Sequence, residues 1–253
     1  MGSDDLRVGQ VVVATGPFQV PFVPAVSRNA DPSLFQIHSA EYRNAAALPP
    51  GSVLVVGGGN SGCQIAGELA RSRPVELAVG ERVPVVPQRL LGRDIWWWGT
   101  ALGIDKVTIE SRLGKRLSTR DPVIGIGPRG LAKRFGVRVR PRVESMSGRA
   151  VMFADGTSSE PEVVVWATGF RNDYSWMDIP GALDPSGRPI HRRGVSRVRG
   201  LYFLGLNWLW TRGSGLLGWV GNDAAYLSRP IRSRKQGAAS ASGPGYKFAG
   251  GGT

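Results

Sequence analysis

One segment constrains this chain more than any other. Opened by Ser52, the run Val53-Leu54-Val55-Val56 is continuously apolar and enters Gly57-Gly58-Gly59-Asn60-Ser61-Gly62. Apolar residues then recur with helical spacing at Ile65, Ala66, Leu69 and Ala70, and Val75-Glu76-Leu77-Ala78-Val79 follows Pro74. A strand that is apolar without alternation is one buried on both faces, as in parallel sheets. Strand, glycine turn, helix and strand within ~30 residues make a βαβ unit. The chain is therefore predicted to be α/β, with a Rossmann-like three-layer domain.

The glycine spacing has a physical reading. Gly57 permits the tight turn, Gly59 lets the backbone approach a pyrophosphate, and Gly62 allows close packing of helix on strand. The helix N-terminus presents N–H groups and positive partial charge, to which Asn60 and Ser61 add side-chain donors. A glycine turn serving structure alone is the competing reading. The choice of dinucleotide depends on the end of the second strand, where an acidic residue suits a ribose 2′-hydroxyl and an arginine a 2′-phosphate. Val79-Gly80-Glu81-Arg82 offers both, and Arg82 and Arg89 tip the expectation towards NADP. Arg82 as a plain exposed loop arginine is the alternative.

Around this unit the pattern is coarser. Residues 6–14 read as a strand ending at Thr15-Gly16, followed by a connector with Pro17, Pro21, Pro24 and Pro32. Residues 35–48 suggest a short helix or turn, and 90–104 a helix containing Trp96-Trp97-Trp98. The basic stretch 105–135 promises little regular sheet. Strands are expected over 137–143 and 150–154, with a turn at Asp155-Gly156. Val163-Val164-Val165-Trp166 is another buried run leading into Ala167-Thr168-Gly169. A strand over 201–205 and a helix near 222–229 complete the ordered part, and 230–253, rich in Gly, Ser and Ala, reads as disordered. Val11-Val12-Val13-Ala14-Thr15-Gly16 and Val164-Val165-Trp166-Ala167-Thr168-Gly169 are near copies, as if one framework were crossed twice with a domain inserted between.

Composition narrows the classes. The net charge of +13 comes almost entirely from arginine. It carries no helix-turn-helix, zinc-finger or RNA-recognition signature, so a solvated basic surface with anionic-cofactor contacts is favoured over nucleic acid. The single cysteine, Cys63, and the two histidines, His38 and His191, leave no multi-cysteine or histidine-rich metal site. No run of about 18 apolar residues suggests a membrane span, and the N-terminus lacks a secretory pattern. The expected setting is the cytoplasm. Cys63 reads as a small packing residue and Trp96–Trp98 as a cluster that packs one or two rings into an interdomain core, with substrate-channel lining as the alternative. His38 reads as a hinge or hydrogen-bonding residue, with a cofactor contact as the alternative.

Several segments together resemble the flavin-containing monooxygenases and their bacterial flavoprotein relatives. They are HSAEYRN (38–44), LVVGGGNSG (54–62), GRDIWWW (92–98), FADG (153–156), VVWATGFRNDYSW (164–176) and GLYFLGLNW (200–208). The resemblance runs in order from about residue 8 to about 228. It implies an NADPH domain inserted into an FAD domain, with 14–16 and 167–169 as the strand ends where the chain crosses between them. It thereby adds Ala167, Thr168 and Gly169 to the candidate cofactor residues. Of the family fingerprint F-x-G-x-x-x-H-x-x-x-Y/F, His38 and Tyr42 fit, whereas Pro32 and Leu34 replace Phe and Gly.

The resemblance implies a division into 1–47 (part of an FAD domain and linker), 48–162 (NAD(P)-binding), 163–229 (the C-terminal part of the FAD domain) and the 230–253 tail. The family's own FAD glycine motif and active-site asparagine would lie upstream of Leu6. The FAD domain is therefore expected to be incomplete, FAD binding by these residues alone to be weak, and no catalytic residue is assigned. A partner chain supplying the missing unit is one way to complete it. The expected function is an oxidoreductase using NADPH, FAD and O₂ to oxygenate a small molecule. The rivals are a non-catalytic NAD(P)-binding module without flavin and a basic polyanion-binding protein.

Overall fold

The computed structural model describes residues 8–119 and 121–238. By contacts the chain divides into two compact units, one of residues 21–102 and 120–170, the other of 1–20, 103–119 and 171–253. The chain thus leaves one unit near the first Ala-Thr-Gly copy and returns to it near the second. The boundaries differ from those expected: residues 21–47 and the Val163–Trp166 strand join the glycine-turn unit, and 103–119 joins the other.

The glycine-turn unit is built on five strands in the order Arg138–Arg140, Val75–Ala78, Val53–Val56, Val163–Trp166, Phe35–His38. Every neighbouring pair is parallel. Val53–Val56 and Val163–Trp166 are the inner strands buried at all four positions, which is why their sequences do not alternate. Val53, Val55, Val163 and Val165 face helices Asn60–Leu69 and Pro128–Phe135 through Cys63, Ile65, Ala66, Leu69 and Leu131. Leu54, Val56, Val164 and Trp166 face the other way, onto Met146, Val151 and Phe153. That opposite layer is an antiparallel sheet of Val143–Ser147, Ala150–Phe153 and Ser158–Ser159. The three layers are thus helix, parallel sheet and antiparallel sheet.

One expectation here needs correction. Phe35–His38 is not a helix or turn but a strand, paired with Val163–Trp166 from Val163↔Phe35 to Trp166↔His38. Within 35–48 the only helical piece is the one-turn segment Ala45–Ala47, capped by the Asn44 side chain. The 105–135 stretch has little sheet, as expected: its described residues hold one two-residue strand, Val123–Ile124, and two helices, Arg112–Leu117 and Pro128–Phe135. Their apolar faces are narrow, and their ends are set by capping. Ser111 accepts from the Gly114 N–H, Pro128 stands at the first turn, and Gly136 closes the second helix at φ 69°.

The other unit carries a four-stranded sheet in the order Val11–Val13, Leu201–Phe203, Val195–Ser196, His191–Arg192. Val11–Val13 lies parallel to Leu201–Phe203. Its last helix runs Val220–Ala238, through Pro230. The part of the tail from 230 to 238 is therefore helical rather than disordered, and 239–253 lies outside the described residues. Pro230 removes one backbone bond, the one to the Tyr226 carbonyl. Separately, the Ile231 carbonyl accepts from the Gln10 side chain at 3.1 Å. The buried Asp223 anchors the helix start, 3.4 Å from Arg193 Nε, so Arg193 is not merely solvated.

Candidate functional site

The glycines of the turn are small for different reasons. Gly57 has φ 126°, and a Cβ there would lie 2.1 Å from the Ala167 carbonyl oxygen. Its N–H donates to the Ala78 carbonyl at 2.9 Å. A Cβ on Gly58 would meet Val79 Cγ1 at 2.8 Å, and one on Gly62 would meet the Gly57 carbonyl oxygen at 1.8 Å. Internal packing therefore accounts for all three. Gly59 is the exception: it has an ordinary φ of −78° and nothing within 4 Å of a built Cβ. It is the N-cap of the helix Asn60–Leu69, whose first N–H groups have no intrahelical acceptor. No neighbour among the described residues gives a reason for its bareness.

Of the two expected side-chain donors, Ser61 is exposed at the helix start. Asn60 is turned elsewhere. Its Nδ2 donates to the Pro122 carbonyl at 3.0 Å and its Oδ1 accepts from the Ile124 N–H at 2.8 Å. Cys63 packs in the core with Sγ 3.6 Å from the Gly58 carbonyl oxygen, and burial pushes its thiol up to about 11.

Beyond the Val75–Ala78 strand a cleft of about 860 Å³ opens between residues 79–85 and 125–130. Arg82 and Arg129 line it and are exposed. Arg140 also borders it, but its Nη2 pairs with Glu76 Oε1 at 2.8 Å. Glu81 lies 4.0 Å from Arg142.

Sequence reasoning passed over the second arm of this cleft. Gly125-Ile126-Gly127-Pro128-Arg129-Gly130 repeats the glycine spacing of the first turn and opens the helix Pro128–Phe135. The strand before it is only two residues long, Val123–Ile124, so no buried-strand run drew notice to it. Gly127 has a packing reason, since its Cβ would lie 2.4 Å from Val85 Cγ2.

Ala167 lies beneath the first turn, and Thr168 and Gly169 follow it. The Ala167 N–H donates to the Val56 carbonyl at 2.8 Å, and the Thr168 hydroxyl donates to the Phe22 carbonyl. Gly169, at φ 83°, accepts through its carbonyl from the Phe22 N–H at 2.9 Å and from His38 Nε2 at 3.0 Å. His38 Nδ1 accepts from the Ala40 N–H at 3.1 Å, which places the ring proton on Nε2. His38 is buried and tied to the backbone by both nitrogens.

In the tryptophan cluster Trp96 and Trp98 are half-buried and Trp97 is exposed. None of Trp96, Trp97 and Trp98 is buried in the helix Ile95–Ala101. Trp97 meets Trp98 edge-on at 5.0 Å under the Arg93 guanidinium, and the Trp98 indole N–H donates to the Leu90 carbonyl at 2.9 Å. Among the described residues no helix is long and apolar enough to cross a membrane.

A parallel sheet ending in an open glycine turn, with a cationic cleft past the next strand, defines a dinucleotide-binding α/β domain. The chain belongs to the pyridine nucleotide-disulphide oxidoreductase family, whose profile matches residues 2–201. It is 47% identical over 223 residues to a CzcO-like oxidoreductase of Geobacillus kaustophilus, covering 88% of this chain and 64% of that one. It is 28% identical over 261 residues to the rice indole-3-pyruvate monooxygenase YUCCA8, covering 89% and 61%. Its fold is that of the flavin-containing monooxygenase from Stenotrophomonas maltophilia, with a TM-score of 0.64 at 23% identity over 92% of this chain and 68% of that one. The chain thus spans about two thirds of the length of these relatives.

Proposed function

We propose that this chain carries the NADPH-binding part of a flavin-dependent monooxygenase-like oxidoreductase. The observation that carries the reading is Gly59, the one glycine of the first turn whose missing side chain no neighbour requires. A pyrophosphate against that face would accept from the N–H groups of the first helical turn. Arg82 and Arg129 would hold the adenosine 2′-phosphate, a group that distinguishes NADPH from NADH. When bound, NADPH supplies a hydride and FAD, with O₂, supplies the oxygenating chemistry.

The monooxygenase reading is supported by likeness to YUCCA8 and by the shared fold. We assign the FAD pyrophosphate to polypeptide outside the described residues, whether in the same chain or in a partner, and the substrate to the small molecules. A cytoplasmic setting belongs to the same reading. Its test is calorimetric titration with NADPH of the wild type and of Gly59→Leu. Binding that survives this replacement undamaged would refute it. The second reading, a nucleotide-binding module without flavin, is favoured by one feature: every residue of the nucleotide site lies in a single compact unit. A flavin absorption band in the purified protein would decide against it.

A further inference from the structure

We infer that Asn60 is a positioning residue that sets the preference for a 2′-phosphorylated dinucleotide by fixing the arm that carries Arg129. The inference rests on the reading of the cleft as a dinucleotide site. Asn60 follows Gly59 directly, where a side chain could have faced the ligand, yet its amide bridges the Pro122 carbonyl and the Ile124 N–H. Only a short side chain with a donor and an acceptor can close both bonds. Aspartate lacks the donor, serine and alanine lack the length, and glutamine places its amide one methylene further out.

The bridged segment leads straight into the cleft. Val123 and Ile124 pair with Val85 and Val86, and Gly127 packs against Val85. The arm is thus fixed on one side by the segment that follows Arg82 and on the other by the residue that follows Gly59. Asn60 therefore ties the pyrophosphate seat to the second arginine. Without the tether the arm keeps its two-residue strand pairing and the core packing of Val123 and Leu131, but it loses its bond to the residue that follows Gly59, and Arg129 is held less well for a phosphate.

The experiment is a double-mutant cycle read by titration with NADPH and NADH, using wild type, Asn60→Ala, Arg129→Ala and the double variant. Asn60→Ala is expected to weaken NADPH about threefold, less than Arg129→Ala does, to leave NADH nearly unchanged, and to add nothing once Arg129 is alanine. Equal losses for the two nucleotides would place Asn60 on their shared pyrophosphate and overturn the inference. So would an unchanged NADPH affinity, or losses that add fully in the double variant. If the wild type binds neither nucleotide and Gly59→Leu changes nothing, the dinucleotide reading itself fails and takes the inference with it. Should Asn60→Ala not fold, hydrogen exchange on the wild type serves instead. NADPH is expected to protect the amides of 123–127, 129 and 130 beyond what NADH does, and equal protection would overturn the proposal.

Discussion

The Ala167 carbonyl oxygen fills the space in which a side chain on Gly57 would begin, 2.1 Å from the built Cβ. Two segments far apart in sequence are thereby one structural unit. The second Ala-Thr-Gly copy forms the floor of the glycine turn, and Gly57 and Gly59 do separable jobs.

Gly57→Ala is expected to damage the fold. It combines a positive φ, which costs a non-glycine residue about 1–3 kcal/mol, with a backbone clash that flexible side chains cannot relieve. The denaturant midpoint should fall clearly. Gly59→Leu should leave that midpoint close to wild type while abolishing NADPH binding. A matching loss of stability in both variants would show that the open face of Gly59 is not a ligand seat.

Cofactor choice should follow the two cleft arginines. Arg82→Ala and Arg129→Ala are each expected to weaken NADPH about five- to tenfold, the modest size reflecting contacts open to solvent and screening. NADH should be nearly indifferent to both. Titrations at two salt concentrations check this, and the discrimination should shrink at the higher one.

The Cys63 thiol, pushed up to about 11 by burial, is almost wholly protonated at pH 8. Iodoacetamide should label it slowly in the folded protein and fully in denaturant. Mass spectrometry over time reads the difference. Rapid labelling of the native protein would mean that the helix Asn60–Leu69 opens readily.

His191 gives stability a pH dependence of definite sign. Its ring lies 5.8 Å from Phe203, its Nδ1 accepts from the Gly194 N–H at 3.3 Å, and burial lowers its pKa from 6.5. The folded state therefore binds the proton less well than the unfolded state does. Stability is full above the ordinary histidine range and declines as pH falls through it. Melting temperatures from pH 7.5 down to 5 should fall, and His191→Gln should flatten part of that slope. An identical slope in the variant would assign the effect to other groups.

The sequence alone determined the elements whose physics is local. Val53–Val56 and Val163–Trp166 announce buried strands because both faces are covered and no polar residue is tolerated. The turn at 57–62 and the helix Asn60–Leu69 follow from glycine spacing and apolar periodicity over a single continuous stretch. Tertiary structure decided what depends on partners distant in the chain. Phe35–His38 is a strand only because Val163–Trp166 offers it a free edge. Gln36 and Trp166 then share a side-chain hydrogen bond across that pair at 3.0 Å. Gly125–Gly130 lines the cleft only because Val123–Ile124 pairs with Val85–Val86. Asn60, read from sequence as a ligand donor, was claimed by the backbone of 122–124. Helix and turn propensities act over a few residues and leave a trace in sequence. An edge's pairing and an amide's choice of partner are set by which groups the folded chain brings within hydrogen-bond reach, and no local pattern records them.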